Sequence, residues 1–321
     1  MEKGLDLNYK QELNSLAKRL NLENLSESLY FPKFFEIETT RSCNARCSMC
    51  TVYKWENKNN KMGEGLFDKF VKEIKDYSNW VDRICLSRNG EPLLDKNLAE
   101  KIYRLKNCGI KYTTFSTNAS LLTEKKSIEL INSGLDDIRF SIDGVTKETF
   151  EKIRIGLDYE KVLENCLRFI KLRDERGIKP VVQIRMVLQS ENKNEEEMFK
   201  EFWLKKISEQ DIVSSKPMHH WGNQLNNYEG SFDELKKYSN SPCISPWSTM
   251  IIHFDGKIPL CGCDYNNKIA LGDFNHKSMK EIWQSRGFYN IRKIHSTGKR
   301  NDILLCRGCN IWDTEIKKIY E

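Results

Sequence analysis

The chain has 321 residues, 39% of them hydrophobic and 31% charged, and its formal net charge is +6. The 52 basic residues only slightly exceed the 46 acidic ones, and no long basic run contains aromatic residues, which argues against nucleic-acid binding. No apolar run approaches the length that spans a bilayer, and the first residues lack the apolar core of a signal peptide, so we expect a cytoplasmic protein with no membrane partner. Eleven cysteines in such a chain indicate reduced thiols and metal ligation.

Helical and strand-like patterns alternate along most of the chain. In residues 1–33, Leu13, Leu16 and Leu20 recur at helical spacing and predict a helix packed on the outside of the main domain. The predicted strands are 34–39, 82–87, 112–116, 137–142, 181–188 and 211–215. The predicted helices between them are 67–77, 97–108, 123–133, 159–176 and 194–208. This succession predicts an α/β fold, a partial (β/α)6 barrel of the TIM type over residues 34–238, with its site at the carboxyl ends of the strands.

Three cysteines follow the first predicted strand, at spacings of four and three: Cys43, Cys47 and Cys50. Thiolates are soft ligands that suit iron–sulfur clusters or zinc. Three of them on one loop can hold three irons of a 4Fe–4S cube and leave the fourth iron open to a small molecule. A structural zinc site normally needs a fourth protein ligand nearby, and residues 51–60 contain no Cys or His. The loop therefore favours a catalytic cluster.

Polar residues collect where the other predicted strands end. Because the carboxyl ends of parallel strands meet at one edge, we expect these residues to surround the cysteine loop. Asn-Gly and Asp-Gly are also ordinary turn dipeptides, so each of them is informative only together with the others. In chain order the residues are Asn89, Gly90, Glu91, Pro92, Ser116, Asn118, Ser141, Asp143, Gln183, Arg185, His219 and His220.

In this order, and behind such a loop, the residues resemble the signature of the radical S-adenosylmethionine (radical SAM) enzymes, whose open iron chelates the amino and carboxylate groups of S-adenosylmethionine. The family has a Gly-Gly-Glu-Pro element after its second strand, in which Asn89 here replaces the first glycine. The resemblance implies that Glu91 meets the methionine amino group and that Arg185 binds the carboxylate. The residues it assigns to S-adenosylmethionine binding are Met49, Asn89, Gly90, Glu91, Pro92, Ser116, Asn118, Ser141, Gln183 and Arg185.

A second group of cysteines lies in residues 239–321, which we predict to form a small separate domain. Residues 250–260 are typical of a β-hairpin that turns at Asp255-Gly256, and a helix is predicted over 278–284. Composition alone does not choose between zinc and a second cluster. The segment resembles a twitch module, the shortened form of the SPASM domain, which holds one auxiliary 4Fe–4S cluster. The ligands that the resemblance implies are Cys243, Cys261, Cys306 and Cys309, with Cys263 as the rival of Cys261.

The resemblance also implies the chemistry. A flavodoxin or ferredoxin reduces the first cluster, S-adenosylmethionine is cleaved to a 5′-deoxyadenosyl radical, and the radical takes a hydrogen atom from a substrate. The cysteine spacings of 18, 45 and 3 resemble members of the family that oxidise an amino-cyclitol alcohol to a ketone. We therefore expect dehydrogenation of an alcohol carbon on a sugar or aminocyclitol, with the auxiliary cluster accepting an electron. The residues predicted to handle the proton or the substrate are Arg185, Asp143, His219 and His220.

Other outcomes stay open. Peptide-crosslinking relatives often carry a recognition domain before the cysteine loop, and the 42 residues before Cys43 are few for such a domain. In an epimerase a thiol returns a hydrogen atom to the substrate, and Cys85, near the end of the second predicted strand, is the best candidate. A zinc-stabilised interaction protein would explain the cysteines but not the ordered polar residues at the strand ends.

Overall fold

The computed structural model describes residues 7–177, 179–222, 224–225 and 241–309, with the backbone alone for residues 7–12. The chain divides into two compact units, one of Glu36–Met218 and the other of Met1–Phe35 and His219–Glu321. The domain boundary predicted at residue 239 lies outside the described residues. Within the described part, no helix combines the length and the apolar character needed to cross a membrane.

The described strands and helices follow the predicted alternation. The strands are β1 Phe34–Ile37, β2 Arg83–Cys85, β3 Thr113–Thr117, β4 Asp137–Ser141, β5 Val181–Leu188, β6 Ile212–Pro217, β7 Thr249–Ile252, β8 Lys257–Pro259 and β9 Ala270–Asp273. The helices are α1 Leu7–Arg19, α2 Glu64–Ile74, α3 Leu98–Asn107, α4 Glu124–Asn132, α5 Lys147–Ile153, α6 Tyr159–Asp174, α7 Glu196–Leu204, α8 Ser245–Ser248, α9 Met279–Trp283 and α10 Arg286–Ser296.

The unit Glu36–Met218 is built on a parallel sheet. Its strands lie in the order β6-β5-β4-β3-β2-β1, and each pair from β2 to β6 is parallel. Helices occupy the crossovers between successive strands, as parallel pairing requires. The α/β class and the partial-barrel architecture predicted from the sequence are therefore confirmed.

The two faces of this sheet differ in polarity because successive side chains of a strand point to opposite sides. One face is apolar and fully buried, with Phe115, Phe140 and Ile184 at 0% exposure. Phe140 meets Phe169 of α6 edge to face, with 5.5 Å between ring centroids, so the helices cover this side. The opposite face carries polar side chains such as Arg185 of β5. The chemistry of this unit is therefore confined to the polar face and to the strand ends.

A buried ion pair fixes the start of β5 to the turn before β6. The guanidinium of Arg173 donates two hydrogen bonds to the carboxylate of Asp211, at 2.8 and 2.6 Å, and both side chains are 0% exposed. The same carboxylate accepts the backbone N–H groups of Val182 and Ser208. Asp211 thus aligns two neighbouring strands at the edge opposite the site.

Apolar side chains of the second unit form buried clusters. Leu16 of α1 and Leu20, which directly follows the helix, pack on Trp247 of α8. The leucines share a buried face as their spacing predicts, but the helix belongs to the second unit, so its predicted place on the outside of the main domain is wrong. The antiparallel hairpin of this unit is formed by β8 and β9, with Lys257 opposite Asp273. The predicted hairpin between residues 250 and 260 is therefore only half right, because the partner of β8 follows it in the chain.

Candidate active site

The cysteine loop (residues 42–50) follows β1 and is clamped by the segment after α5. The backbone N–H of Arg46 donates to the carbonyl of Ile155 at 2.8 Å, and that of Ser48 donates to Ile153 at 2.9 Å. These two N–H groups alternate with the cysteines along the loop. The path of the loop is therefore set by hydrogen bonds between main-chain atoms.

A second close approach comes from the segment after β2. Gly90 has φ +110°, and a Cβ atom there would lie 2.4 Å from the carbonyl oxygen of Thr40 and 2.9 Å from that of Ser42. The backbone N–H of Glu91 donates to the same Ser42 carbonyl at 2.8 Å. Gly90 is therefore needed for contact with the cysteine loop, because no other residue fits both the space and the conformation.

The three thiols of the loop form a donor set without disulfide bonds. Burial, with smaller contributions from Glu91 and Cys47, raises the pKa of the Cys43 thiol to about 11. Burial, with smaller contributions from Cys47 and Cys43, raises the pKa of the Cys50 thiol to about 12. Buried thiols with raised pKa values hold their protons in the absence of a metal, and metal binding displaces those protons. A cluster of such thiols therefore suits a metal site. Three such ligands on one loop fit a 4Fe–4S cluster with one iron left for another ligand.

One cation points at this donor set. Nη1 of Arg154, the residue that follows α5, lies 3.6 Å from Sγ of Cys47. Nε of Arg154 donates to Oδ2 of Asp143 at 2.6 Å, and Oδ1 of Asp143 accepts the backbone N–H of Val187 at 2.6 Å. Burial lowers the pKa of Arg154, but Asp143 and Cys47 outweigh this and raise it. This geometry favours an anchoring role for Asp143 over the proton handling expected from its position in the sequence.

Glu91 joins the ends of β2 and β3. Its Oε1 accepts a hydrogen bond from the Thr117 hydroxyl at 2.6 Å and the N–H of Leu93 at 3.0 Å, and its Oε2 accepts the N–H of Asn118 at 2.8 Å. Burial raises the pKa of this carboxyl, and the three hydrogen bonds oppose that shift. A carboxylate has about four acceptor sites, so one is left for the ammonium group of a ligand.

Asn118 connects the end of β3 to the cysteine loop. Its amide donates to Oδ1 of Asn44 at 3.0 Å, and the Asn44 amide donates to the Ser120 hydroxyl at 2.8 Å. The Ser120 hydroxyl in turn lies 2.7 Å from Oδ1 of Asn118. The three side chains close a small network, which positions Asn44 next to Cys43.

The side chain of Asn89 is bonded to Glu38, in the segment that leads into the cysteine loop. Its amide donates to Oε1 of Glu38 at 2.8 Å, and Glu38 also holds Arg41 through two hydrogen bonds of 3.0 Å. Its own Oδ1 is buried and has no partner within the described part of the chain. Pro92 is buried and begins the short helical turn Pro92–Leu94. Both residues therefore shape the strand end that carries Glu91.

The polar face of the sheet brings together Arg185, Gln183 and Cys85. Arg185 donates to Oε1 of Gln183 at 2.8 Å, and Gln183 donates to Asp137. Nε of Arg185 is buried without a partner in the described structure. Burial, followed by repulsion from Arg139, lowers the pKa of Arg185 to about 10. A guanidinium with an unused donor at this face suits a carboxylate ligand.

Three further predicted residues lie at the same strand ends. The N–H of Ser116 donates to the Ser87 hydroxyl at 3.0 Å, and Ser141 is paired in register with Arg185. Met49 lies within the cysteine loop and is 7% exposed. These positions keep both serines beside the polar face and the thioether beside the thiols.

The second unit contains five further cysteines: Cys243, Cys261, Cys263, Cys306 and Cys309. Burial raises the pKa of Cys243 to about 11, with Cys309 and Cys261 adding to the shift. Burial also raises the pKa of Cys306, which interacts with Cys261, Cys243 and Cys309. Cys263 is buried, and its thiol is hydrogen-bonded to Cys261 and Cys309. Cys306 thus interacts with each of the other three predicted ligands, which fits a four-thiolate cluster site. Cys263 contacts two of these ligands, and its assignment as a neighbour of the cluster stays a prediction.

A buried histidine of α10 contacts this set. Nδ1 of His295 accepts the backbone N–H of Cys243 at 3.2 Å, and Nε2 lies 3.7 Å from Sγ of Cys306. Burial and then Arg300 lower the pKa of His295 to about 3, so the ring is neutral. Since Nδ1 accepts, the single ring proton is on Nε2 and points at the Cys306 sulfur.

His219 and His220 belong to this second unit. The ring of His219 packs on Trp221 with 4.7 Å between centroids. His220 is 1% exposed and is hydrogen-bonded to the backbone of Gly308, between Cys306 and Cys309, while burial lowers its pKa. The proton-handling role predicted for these histidines stays a prediction. The contact of His220 with Gly308 places it next to the cysteines of the second unit.

Sequence reasoning did not find Asn44, Arg154 or His295. It searched the strand ends, whereas Asn44 lies inside the cysteine loop and Arg154 follows a two-turn helix. His295 lies in a basic stretch of the sequence, yet Ile291 and His295 are buried on one face of α10. That helical spacing is the signal that could have identified it.

Comparison with known proteins identifies both units. Residues 37–202 match the radical SAM superfamily, and residues 243–310 match the SPASM iron–sulfur cluster-binding domain. The chain is 22% identical over 300 residues to the S-adenosyl-L-methionine-dependent 2-deoxy-scyllo-inosamine dehydrogenase of Niallia circulans, with 89% of this chain and 96% of that protein covered. It is 29% identical over 165 residues to a cofactor-modifying protein of the tungsten-containing aldehyde ferredoxin oxidoreductase from Pyrococcus furiosus, of which it spans only 45%.

Solved structures share the fold. BtrN in complex with AdoMet and 2-DOIA aligns with a TM-score of 0.61 at 19% identity, covering 87% of this chain and 93% of that one. SuiB of Streptococcus suis, bound to its precursor peptide SuiA, aligns with a TM-score of 0.64 at 16% identity, covering 96% of this chain and 77% of that one. Since the superfamily match spans residues 37–202, more than half of the chain, the protein is an enzyme of the radical SAM superfamily with a SPASM domain, whose cofactors are S-adenosylmethionine and 4Fe–4S clusters.

Proposed function

We propose that the enzyme is a radical SAM dehydrogenase that oxidises an alcohol carbon of a small polar substrate, a sugar or an aminocyclitol, to a carbonyl. The observation that carries this proposal is the thiol set of the second unit, in which Cys306 interacts with Cys243, Cys261 and Cys309. Dehydrogenation removes two electrons, and a hydrogen atom carries away only one of them. A second cluster provides an acceptor for the other electron.

The dehydrogenase relative supports the same reading because the alignment covers 96% of its length, including both cluster-binding parts. Other relatives match over shorter stretches of 165 and 139 residues, about half of this chain or less. Likeness along the whole chain favours a similar use of both units.

The residues proposed for cofactor binding each have a task that their contacts permit. Glu91 offers its remaining acceptor site to the methionine ammonium, and Arg185 offers its unpaired Nε–H to the carboxylate. Asn118 and Ser141 line the strand ends where the ribose lies, and Met49 packs on the adenine ring. Cys43, Cys47 and Cys50 hold the cluster. When reduced by a flavodoxin or ferredoxin, this cluster supplies an electron for homolytic cleavage of S-adenosylmethionine.

The chain's own contribution is positioning and exclusion of water. The polar face carries Arg185 of β5 and Cys85 of β2, which interact electrostatically, while the apolar face is closed by helices. A hydroxyl-bearing substrate on this face meets donors from Arg185 and Gln183 that fix its orientation. Arg185 also stabilises the oxygen of an alcohol that loses its proton.

Turnover under anaerobic conditions tests the proposal. Purified enzyme with reconstituted iron, S-adenosylmethionine and a reductant is incubated with a panel of sugars and aminocyclitols. We expect 5′-deoxyadenosine release with one compound class, and a product that has lost two hydrogens. Deuterium at the oxidised carbon should appear in 5′-deoxyadenosine. Release of 5′-deoxyadenosine with a precursor peptide, and with no compound of the panel, would contradict the proposal.

The second candidate is peptide modification or epimerisation. It is supported by the fold shared with a peptide-binding relative and by the thiol of Cys85, which interacts with Arg185 on the polar face. An epimerase leaves the product mass unchanged in ordinary water and incorporates solvent deuterium in heavy water. A Cys85→Ala variant that stops solvent incorporation would favour this candidate, whereas a dehydrogenase should retain product formation.

A further inference from the structure

We propose that Arg154 is a positioning and tuning residue for the first cluster, which donates a charged hydrogen bond to the sulfur of Cys47 and raises the reduction potential of that cluster. The inference rests on Cys43, Cys47 and Cys50 being the cluster ligands and is independent of the substrate.

The guanidinium of Arg154 is held at Nε and contacts Cys47 through Nη1. Nη1 of Arg154 lies 3.6 Å from Sγ of Cys47, within the range of an N–H to sulfur hydrogen bond. Nε of the same guanidinium is fixed by Oδ2 of Asp143 at 2.6 Å. Asp143 is itself held by the N–H of Val187 at 2.6 Å. Since the guanidinium is planar and rigid, fixing Nε also aims Nη1.

The surroundings make this charge effective. The side chain of Arg154 is 11% exposed and that of Asp143 is 0% exposed, so water screens them little. Reduction adds one electron to the cluster and makes the thiolate-bound group more negative. A cation and an N–H donor next to a ligand sulfur stabilise the reduced form more than the oxidised form.

The side chain is not required for the clamp on the loop. The hydrogen bonds that hold the loop use the carbonyls of Ile153 and Ile155, on either side of Arg154. Substitution of the guanidinium therefore leaves those backbone contacts available. The effect on the cluster can then be separated from an effect on the loop.

Asp143 provides a test of opposite sign. If Arg154 acts through its charge, Asp143→Asn is informative because it removes a neighbouring anion and keeps the side-chain shape. The new amide has one acceptor oxygen for two donors, and it keeps the cation in place when that oxygen faces Nε of Arg154 and the Val187 N–H loses its partner. The reduction potential should then rise. Arg154→Met removes the cation, so the potential should fall. If the pair had a purely structural role, both variants would lose cluster, and their reduction potentials would not shift in opposite directions.

The experiment is an EPR-monitored redox titration of the reconstituted full chain, with Cys306→Ala/Cys309→Ala as background so that only the first cluster is observed. For Arg154→Met we expect at least a tenfold lower ratio of reduced to oxidised cluster at a fixed solution potential, about 59 mV for a one-electron couple. Arg154→Lys keeps the charge without the fork and should lie between Met and the wild type. Arg168→Met is the matched control, because Arg168 bonds to the Leu122 carbonyl and to Asn165, away from the thiols.

The iron content of each variant is measured first. An Arg154→Met protein with full iron and an unchanged potential overturns the proposal. If that variant fails to hold iron, Arg154→Lys and Asp143→Asn decide: a fall for Lys and a rise for Asn support the proposal, and equal or same-sign shifts refute it. None of these readouts needs a substrate, so the result stands or fails separately from the proposed dehydrogenation.

Discussion

At the scale of single residues, Gly90 is the position that most directly joins the two cluster-supporting segments. We expect Gly90→Ala to lose most of the iron of the first cluster, because its Cβ would lie 2.4 Å from the Thr40 carbonyl oxygen at a φ of +110°. Iron and sulfide analysis after anaerobic reconstitution measures this. Gly65→Ala is the control: nothing lies within 4 Å of that Cβ in α2, and alanine there should stabilise the fold by about 0.5–1 kcal/mol. Equal iron content in both variants would contradict the expectation.

The two cysteines that follow β8 make distinct predictions. Cys261 interacts with Cys243 and Cys306 and is the predicted ligand, so Cys261→Ala should lose the auxiliary cluster. Cys263→Ala should keep it if, as the resemblance to the twitch module implies, the lost thiol is a neighbour of the cluster and not a ligand. The iron content of each variant, compared with about eight irons for two 4Fe–4S clusters, distinguishes them. The reverse result would make Cys263 the ligand.

The single ring proton of His295, on Nε2, points at the sulfur of Cys306. His295→Leu removes the donor to Cys306 and leaves the Cys243 N–H without its acceptor, so we expect a lower potential for the auxiliary cluster and a loss of stability of about 1–3 kcal/mol. His295→Gln restores a donor near the former Nε2 and should recover part of the potential. Redox titration of the auxiliary cluster, in protein that lacks Cys43, Cys47 and Cys50, measures the difference. Identical potentials for Leu and Gln would show that the ring acts by packing alone.

At the scale of elements, the alternation of strands and helices was predictable from the sequence. Hydrophobic periodicity and the glycine and turn residues that end each element are local properties. The predicted strand 137–142 and the observed β4 Asp137–Ser141 differ by one residue, since alternation and the following Asp-Gly mark the boundary. The helix α5 Lys147–Ile153 was missed because seven residues give too few turns for a periodic signal. Its start is marked by Thr146, whose side chain accepts the N–H of Thr149.

Pairing between distant elements was less predictable than the elements themselves. A hairpin between residues 250 and 260 satisfies the local turn at Gly256, but β8 finds its antiparallel partner in β9, Ala270–Asp273. Sequence identifies a turn from a few residues, whereas a ladder depends on packing that a local pattern does not contain. The same limit applies to Arg154, whose partners Asp143 and Cys47 lie 11 and 107 positions away.

The tie between β5 and β6 makes a prediction about stability alone. Asp211→Ala leaves Arg173 buried without its bidentate partner, and we expect a loss of about 3–5 kcal/mol in the free energy of unfolding. Asp174→Ala removes another partner of the same arginine, at 43% exposure, and should cost about 1 kcal/mol or less. Denaturant unfolding monitored by circular dichroism gives both values. Similar losses for the two variants would contradict the burial argument.

At the scale of the whole molecule, each cluster set lies within one of the two units, so each cluster can be removed without touching the other unit. The variant Cys306→Ala/Cys309→Ala should retain about four irons and still cleave S-adenosylmethionine, because Cys43, Cys47 and Cys50 are intact. It should form little oxidised product, since the second electron has no acceptor. The ratio of 5′-deoxyadenosine to product, determined by mass spectrometry, measures this uncoupling. Unchanged coupling would contradict the role proposed for the auxiliary cluster.

The clamp on residues 42–50 has a consequence for how this site tolerates change. Its hydrogen bonds join amide groups to carbonyl groups, and the side chains of Arg46 and Ser48 contribute nothing to those two bonds. Substitution at either position therefore leaves these two bonds in place, and only the side-chain bonds are lost: those of Arg46 to the Cys43 and Ala45 carbonyls and that of Ser48 to Gln189. Proline is the exception, because it has no N–H to offer. The main-chain bonds that hold the loop are thus independent of the side chains at these two positions.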